Sequence, residues 1–361
     1  MRLFQNSGVY PAYLPRLREL TYNCTSFETQ VAAFLADRYG AAHFLQPVLE
    51  RDSSAFFTNG DDEVLQRQWA RENGLSEKVN LETILLAQIE HHRTEVLYNL
   101  DPVRYPSRFV ARLPACVKRK IAWRAAPSQG ADFSAYDLVI SNFPSILACY
   151  NRLGWCTAEF APAHDQVMDR YAAVEERPVD VLFVGGYSRH HQKRAELLEA
   201  VAAMDKSIRI RFHLDSSRLT RLAESMLGRM MPTGRHRRPA AIRAMAMAPV
   251  FGLDLYDALS KAKIVLNGAI DMAGPDRGNM RCFEAMGCGG VLLSDEGNYP
   301  QGMVPGTNLL TWHDPADATH RIRELLADDA RRTVMARAGH EMISQSYSKQ
   351  RQWQRFLQLA S

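Results

Sequence analysis

Asn279-Met-Arg281-Cys-Phe-Glu284-Ala-Met-Gly287-Cys-Gly289-Gly290-Val-Leu-Leu-Ser294-Asp295 is the stretch from which the fold can be read. Phe283 and Met286 repeat at helical spacing, the glycines break the helix, and Val291-Leu-Leu is a short apolar run of the kind buried in parallel sheets. Helix, glycine turn and buried strand together make one step of an α/β layer structure. Glycines carry no Cβ, so backbone at such a turn can approach a ligand. A carboxylate on the preceding helix, Glu284, can accept two hydrogen bonds from ribose hydroxyls. An ordinary αβ turn with Glu284 in solvent competes with that reading and is the commoner case. Arg281 lies three residues before Glu284, on the same helix face, placed to pair with it or with a phosphate. Asn279 stands where a helix cap is expected.

Outward from this segment, short apolar stretches alternate with amphipathic ones, which predicts repeated βα units building parallel sheets. In the first half, strands are expected at Met1–Asn6, Ala42–Val48, Glu95–Asn99, Lys120–Ala125 and Leu138–Ser141. In the second they are expected at Val179–Val184, Ser207–Leu214, Ile264–Leu266, Val291–Ser294 and Asn308–Thr311. Helices should fall at Gln192–Met204, Asp254–Ala262, Met280–Met286, Ala316–Leu326, Asp329–Ser344 and Ser348–Leu359. Thr25 and Glu28 have capping-box spacing for the first helix, and the polar Asp61–Asn80 reads as an insertion. The poorly periodic run Cys156–Pro178 reads as a link. A chain of 361 residues exceeds the roughly 250–300 at which one core stops growing. We therefore expect two Rossmann-like domains, 1–165 and 166–345, with 346–361 a helix returning to the first.

Composition narrows the function classes. With 46% hydrophobic and 23% charged residues the chain is an ordinary globular one. A formal charge of +4 is too small to mark a whole-chain nucleic-acid binder. No apolar run approaches the ~20 residues that span a bilayer, and the N-terminus lacks a signal-peptide layout. A cytoplasmic location is expected, with room for peripheral contact at the inner face of the membrane. The six cysteines form no CxxC pair and read as small apolar fillers. His91-His92 has no partner at ligand spacing and no Asp-x-Asp triplet occurs, so no metal and no cofactor are expected.

The motif Asn279-x-Arg281-x-Phe283-Glu284-Ala-Met286-x-Cys288-Gly-Gly290 resembles the donor-binding motif of GT-B fold glycosyltransferases, in the form of the spore-maturation-protein-B-like group. Val181-Leu-Phe-Val184-Gly185-Gly186, Arg194-Ala-Glu-Leu-Leu and Leu255 to Asn267 fall in the order of that family, and the resemblance covers roughly residues 180–347. It implies a metal-independent glycosyltransferase with two domains facing across a cleft. Its donor would be a nucleoside-diphosphate sugar and its acceptor a glycan, a lipid-linked glycan or a protein, in cell-surface glycan or protein glycosylation. Glu284 would bind the ribose. Many retaining relatives carry an acid eight positions earlier against the transferred sugar. Asp276 stands there, shorter than the usual glutamate, so retention and the sugar are left open.

The Gly185-Gly186 turn should bring backbone N–H groups and a positive helix end to a diphosphate. Arg189, Lys193 and Arg194 lie near enough to neutralise the leaving diphosphate. Arg194 matches the family position best, whereas a solvated helix face suits Lys193 better. Asn267 follows a buried strand and either lines the cleft or makes a turn. On the acceptor side Ser7 and Gly8 follow the first strand. Asp101, Ser128, Asn142 and the His164-Asp165 pair are weaker candidates, each more often structural, and no catalytic base can be picked out. Five arginines at 229, 235, 237, 238 and 243 read as a loop of solvated charge, with a phosphate-bearing acceptor or anionic lipid as the sharper alternative. Two rival functions remain. An epimerase or dinucleotide oxidoreductase lacks its GxGxxG fingerprint, and a non-catalytic nucleotide- or nucleic-acid-binding module would rely on the arginine loop.

Overall fold

Apolar runs too short for helices become the strands of two parallel sheets, buried on both faces as crossover connections require. The structure is a computed structural model. It describes all residues except 77, 129, 188–190, 230–235 and 269–273, and leaves out the side chains of Leu227 and Arg229. The chain divides into two units, Met1–Ala163 with Tyr347–Ser361, and His164–Ser346.

The first unit holds β1 (Leu3–Ser7), β2 (Ala55–Asn59), β3 (Val96–Asn99), β4 (Arg119–Trp123), β5 (Leu138–Ser141) and β6 (Thr157–Glu159), in sheet order β2-β1-β3-β4-β5-β6. The second holds β7 (Val179–Gly186), β8 (Ile210–Asp215), β9 (Ala246–Met247), β10 (Ala262–Leu266), β11 (Val291–Asp295) and β12 (Leu310–Trp312), in order β12-β11-β10-β7-β8-β9. Every described pairing is parallel. Phe4, Leu97, Phe109, Val139 and Ile146 centre the first core; Val181, Phe183, Phe212, Ile264 and Leu293 centre the second. In the second sheet the chain runs outward from β7 through β8 to β9, then crosses back to β10 on the other side of β7. The carboxyl ends of β7 and β10 therefore flank the point where strand order reverses, the place where open α/β sheets bind ligands.

Several sequence expectations change. Ala42–Val48 is not a strand: Ala42, Phe44, Leu45 and Val48 are buried, but in a turn and the one-turn helix Gln46–Leu49, and the second strand is β2 instead. Pro47, which cannot donate to a ladder, sits in the first turn of that helix. Asp61–Asn80 is no insertion, because its helix Glu63–Glu72 buries Leu65, Trp69 and Ala70 as a regular βα element. The helix Phe27–Ala36 is capped by Ser26 and Thr29 rather than Thr25 and Glu28. The short edge strands β6 and β9 had no sequence signal. Cys149 and Cys156 are exposed and Cys24 and Cys116 partly so, which leaves only Cys282 and Cys288 as buried fillers.

The last helix, Lys349–Ala360, belongs to the first unit. Phe356 is fully buried, its ring 4.9 Å from Tyr98 of β3 and 6.0 Å from Phe160. Lys349 Nζ lies 2.9 Å from His43 Nδ1, and Arg119 donates to the Leu359 carbonyl. Phe356→Ala should cost about 3–5 kcal/mol, the range for emptying a buried phenyl site. A urea midpoint unchanged from wild type would show that the helix end is not anchored by this ring.

Candidate functional site

Arg194 lies in the first turn of the helix Gln192–Ala202 and reaches across the reversal point. Its Nε donates to the Gly268 carbonyl at 3.2 Å, just beyond β10, and its guanidinium sits 5.9 Å from the Phe183 ring of β7. Beside it Asn267 is buried in a network. Its Nδ2 donates to Ser294 Oγ at 2.9 Å, its Oδ1 accepts from Asn279 Nδ2 at 3.2 Å, and its carbonyl accepts from Trp312 Nε1 at 3.2 Å. Asn267 therefore locks together the carboxyl ends of β10, β11 and β12 and the start of the next helix. Gly185 and Gly186 are the last residues of β7, paired in register with Leu214 and Asp215, rather than a turn after it. A Cβ on Gly186 would meet open space. Arg189 lies outside the described residues; Lys193 is exposed.

Asn279 caps the helix Met280–Gly287, its side chain accepting from the Cys282 N–H. One turn on, Arg281 Nη1 donates to Glu284 Oε2 at 2.7 Å, with only 17% and 12% of the two side chains exposed. Glu284 is thus a partly desolvated carboxylate already holding a cation, not a solvated surface group. Asp276 is 3% exposed, so it is no surface-loop residue either. It pairs in a bridge with Asn298, and the neighbouring Arg277 Nε lies 2.6 Å from Asp295 Oδ2 at the end of β11. Asp276 is thereby fixed in the loops at the carboxyl edge.

The glycines of the opening motif do something other than admit a ligand. Gly287 ends the helix, Gly289 and Gly290 follow it, and all three precede β11, at the amino edge of the sheet. A Cβ on Gly287 would lie 2.6 Å from Met168 Sδ; on Gly289, whose φ is +74°, 3.0 Å from Ala172 Cα; on Gly290, 2.9 Å from Val265. Arg177 caps the turn by donating to the carbonyls of Cys288, Ala172 and Ala262. Their smallness serves helix-to-sheet packing. His164 and Asp165 belong to this edge too: His164 Nε2 is 2.8 Å from Asp169, and Asp165 accepts from the Val167 N–H.

One site residue carried no sequence signal. His213, in β8 and buried, has Nδ1 2.6 Å from the Ala248 carbonyl, which can only accept, so that nitrogen carries the proton. Burial pulls its pKa down, and Arg211 and Arg281 add to the effect. In the first unit, Ser7 is the last residue of β1 and Gly8 follows it, a Cβ there lying 3.0 Å from Asp101 Oδ2. Arg104 Nε is 3.4 Å from Asp101, and Asp61 accepts from the Val9 N–H. Ser128 accepts from Arg124, and the His92 carbonyl accepts from Arg2. No group of three or more His, Cys, Asp or Glu that could hold a metal occurs among the described residues.

Residues 189–358 match a family model described as glycosyl transferase-like. No curated protein sequence matches the chain. Among solved structures it is similar to Anabaena Alr3699/HepE in complex with UDP-glucose, at 11% identity over 99% of this chain and 98% of that one, with a TM-score of 0.58. It is similar to sucrose-phosphate synthase from Thermosynechococcus elongatus, at 14% identity over 84% and 79%, TM-score 0.51. It is also similar to a mutant of S. aureus TarM in complex with fondaparinux, alpha-GlcNAc-glycerol and UDP, at 11% identity over 78% of this chain, TM-score 0.54; the chain spans 59% of that protein's length. At these identities the likeness is one of fold.

Three buried histidines set a pH dependence. Burial lowers His92, His164 and His213 from the ordinary 6.5, so below that pH the unfolded chain takes up protons before the native one. Their contribution is fully present above 6.5 and declines as pH falls below it. The urea midpoint should drop between pH 7 and 5.5, above the range where carboxylates titrate, and His213→Gln should reduce the drop. An identical midpoint at both pH values would contradict the assignment.

Proposed function

We propose that this glycosyltransferase of the GT-B fold moves a sugar from a nucleoside-diphosphate sugar, bound at the carboxyl edge of the β7–β12 sheet, to an acceptor hydroxyl. The observation that carries the reading is convergence: Arg194 donates to the Gly268 carbonyl just past β10, and the helix bearing the Arg281–Glu284 pair begins at Asn279, which donates to Asn267 at the end of the same strand. The UDP and UDP-glucose held by the similar structures support a uridine donor as the first to test.

In this reading Glu284 accepts hydrogen bonds from the ribose hydroxyls, Arg281 orients its carboxylate, and Asn279 and Asn267 hold the helix in place. At the end of β7 the diphosphate would lie along Gly185 and Gly186, with room at Gly186, whereas a Cβ at Gly185 would meet the Phe183 ring at 3.0 Å. Arg194 stabilises the charge that grows on the diphosphate as the glycosidic bond breaks. Arg189 is a further cation for that charge. Asp276 contacts the transferred sugar. The acceptor, a glycan, a lipid-linked glycan or a protein hydroxyl, is held by the first unit around Ser7 and Gly8, and its hydroxyl attacks the anomeric carbon. The enzyme would work in the cytoplasm or against the inner membrane face, in making cell-surface glycans. A binding module without activity is the rival, and it would hydrolyse no donor on prolonged incubation.

Four outcomes test this. UDP or another nucleoside diphosphate should raise the melting temperature, by the equivalent of about 2.7 kcal/mol at 100 times its Kd. No shift with any of them would remove the donor site. Glu284→Gln should weaken that binding about ten- to a hundredfold, the loss of two charge-assisted hydrogen bonds worth about 1.5–3 kcal/mol. Arg194→Ala should instead lower turnover more than donor affinity, since its charge is needed most in the transition state. EDTA should leave donor hydrolysis unchanged; activity lost to EDTA and restored by manganese would show that a metal supplies the charge assigned to arginine.

A further inference from the structure

The connection between β8 and β9 carries seven arginines and a single acid, Glu224, between Ser216 and Met247. Apart from the half-buried Arg243, the described arginines divide into two sets. Arg237 donates to the carbonyls of Ala223 and Gly228, and Arg238 forms a paired hydrogen bond with Glu224 at 2.6 and 2.8 Å. These are internal struts, and they neutralise the only acid of the segment. Arg218 and Arg221 are exposed and have no partner among the described residues.

Between and beside those two free cations the apolar side chains point the wrong way for a globular helix. The helix Arg218–Glu224, capped by Ser217, buries only Ala223. Leu219 is 54% exposed, Leu222 41% and, just beyond the helix, Met226 83%. Leu219 and Leu222 are three apart and share a face. Scattered exposed leucines need no explanation. Aliphatic side chains interleaved with unpaired arginines, with no acid left uncompensated, do.

We propose that this face docks on an anionic lipid bilayer. The aliphatic side chains would enter the headgroup–acyl boundary while Arg218 and Arg221 meet lipid phosphates, the arrangement of interfacial amphipathic helices. Charge selects this occupant over others. A two-fold contact with a second copy sets the patch against itself and brings arginine to arginine. A nucleic acid would use the arginines but gain nothing from three aliphatic groups. The inference does not depend on the donor site.

Cosedimentation of the full chain with phosphatidylglycerol–phosphatidylcholine vesicles, and with phosphatidylcholine alone, tests it. The wild type should pellet with the anionic vesicles only, and added salt should release it. Arg218→Gln with Arg221→Gln should weaken binding about fivefold per charge removed. Leu219→Ser with Leu222→Ser and Met226→Ser should weaken it as well, and both variants should keep the wild-type melting temperature and nucleotide-induced shift. Failure of the wild type to pellet overturns the proposal. So does wild-type binding by the serine variant, which would make the face a plain polyanion site, and so does a concentration-dependent dimer abolished by the same substitutions.

Discussion

Parallel pairing is the constraint from which the site follows. A parallel strand can be reached only by a crossover that returns to the same edge, so every strand of a sheet ends on one side. In the second unit this collects the ends of β7, β8, β10 and β11 at one rim, where residues as distant in sequence as Arg194 and Gly268 come within hydrogen-bond reach. The buried strands, with Val181, Ile264 and Leu293 fully enclosed, give that rim a rigid base. Side chains supported in this way are held in place in advance of any ligand.

What was legible in the sequence is what local spacing encodes. Arg281 and Glu284 share a helix face because they are three residues apart, and Asn279 caps because it immediately precedes the helix; both follow from helical geometry alone. His213 escaped because its meaning comes from Ala248, 35 residues later, and from a helix beyond that. Ala42–Val48 misled for a related reason. Its apolar residues are buried as expected, but burial constrains position and not backbone conformation, and a short apolar run fits a strand or a compact turn equally well.

The glycines of the motif show how a correct signal can be attached to the wrong cause. Their lack of Cβ reads from sequence as room for a ligand. In the structure the room is taken by Met168, Ala172 and Val265, and the carbonyls of the turn are taken by Arg177. A glycine reports close approach without saying what approaches. The direction of the chain supplies the missing information: a turn entering a parallel strand lies at the amino edge, away from the rim where ligands bind.

Charge management then distinguishes the rim from the rest of the second unit. Arg281 with Glu284, Arg277 with Asp295 and Arg238 with Glu224 are all mostly buried pairs. Removing one member of such a pair leaves a desolvated charge, at a cost of about 3–5 kcal/mol when burial is complete. At the rim this pairing has a further consequence. A carboxylate already partly desolvated and oriented by a guanidinium is held in one geometry before any hydroxyl approaches it. Arg218 and Arg221 stand outside this scheme, since they are exposed with no partner among the described residues. Paired charges describe how the protein holds itself together, and unpaired ones on an apolar face describe what lies outside it.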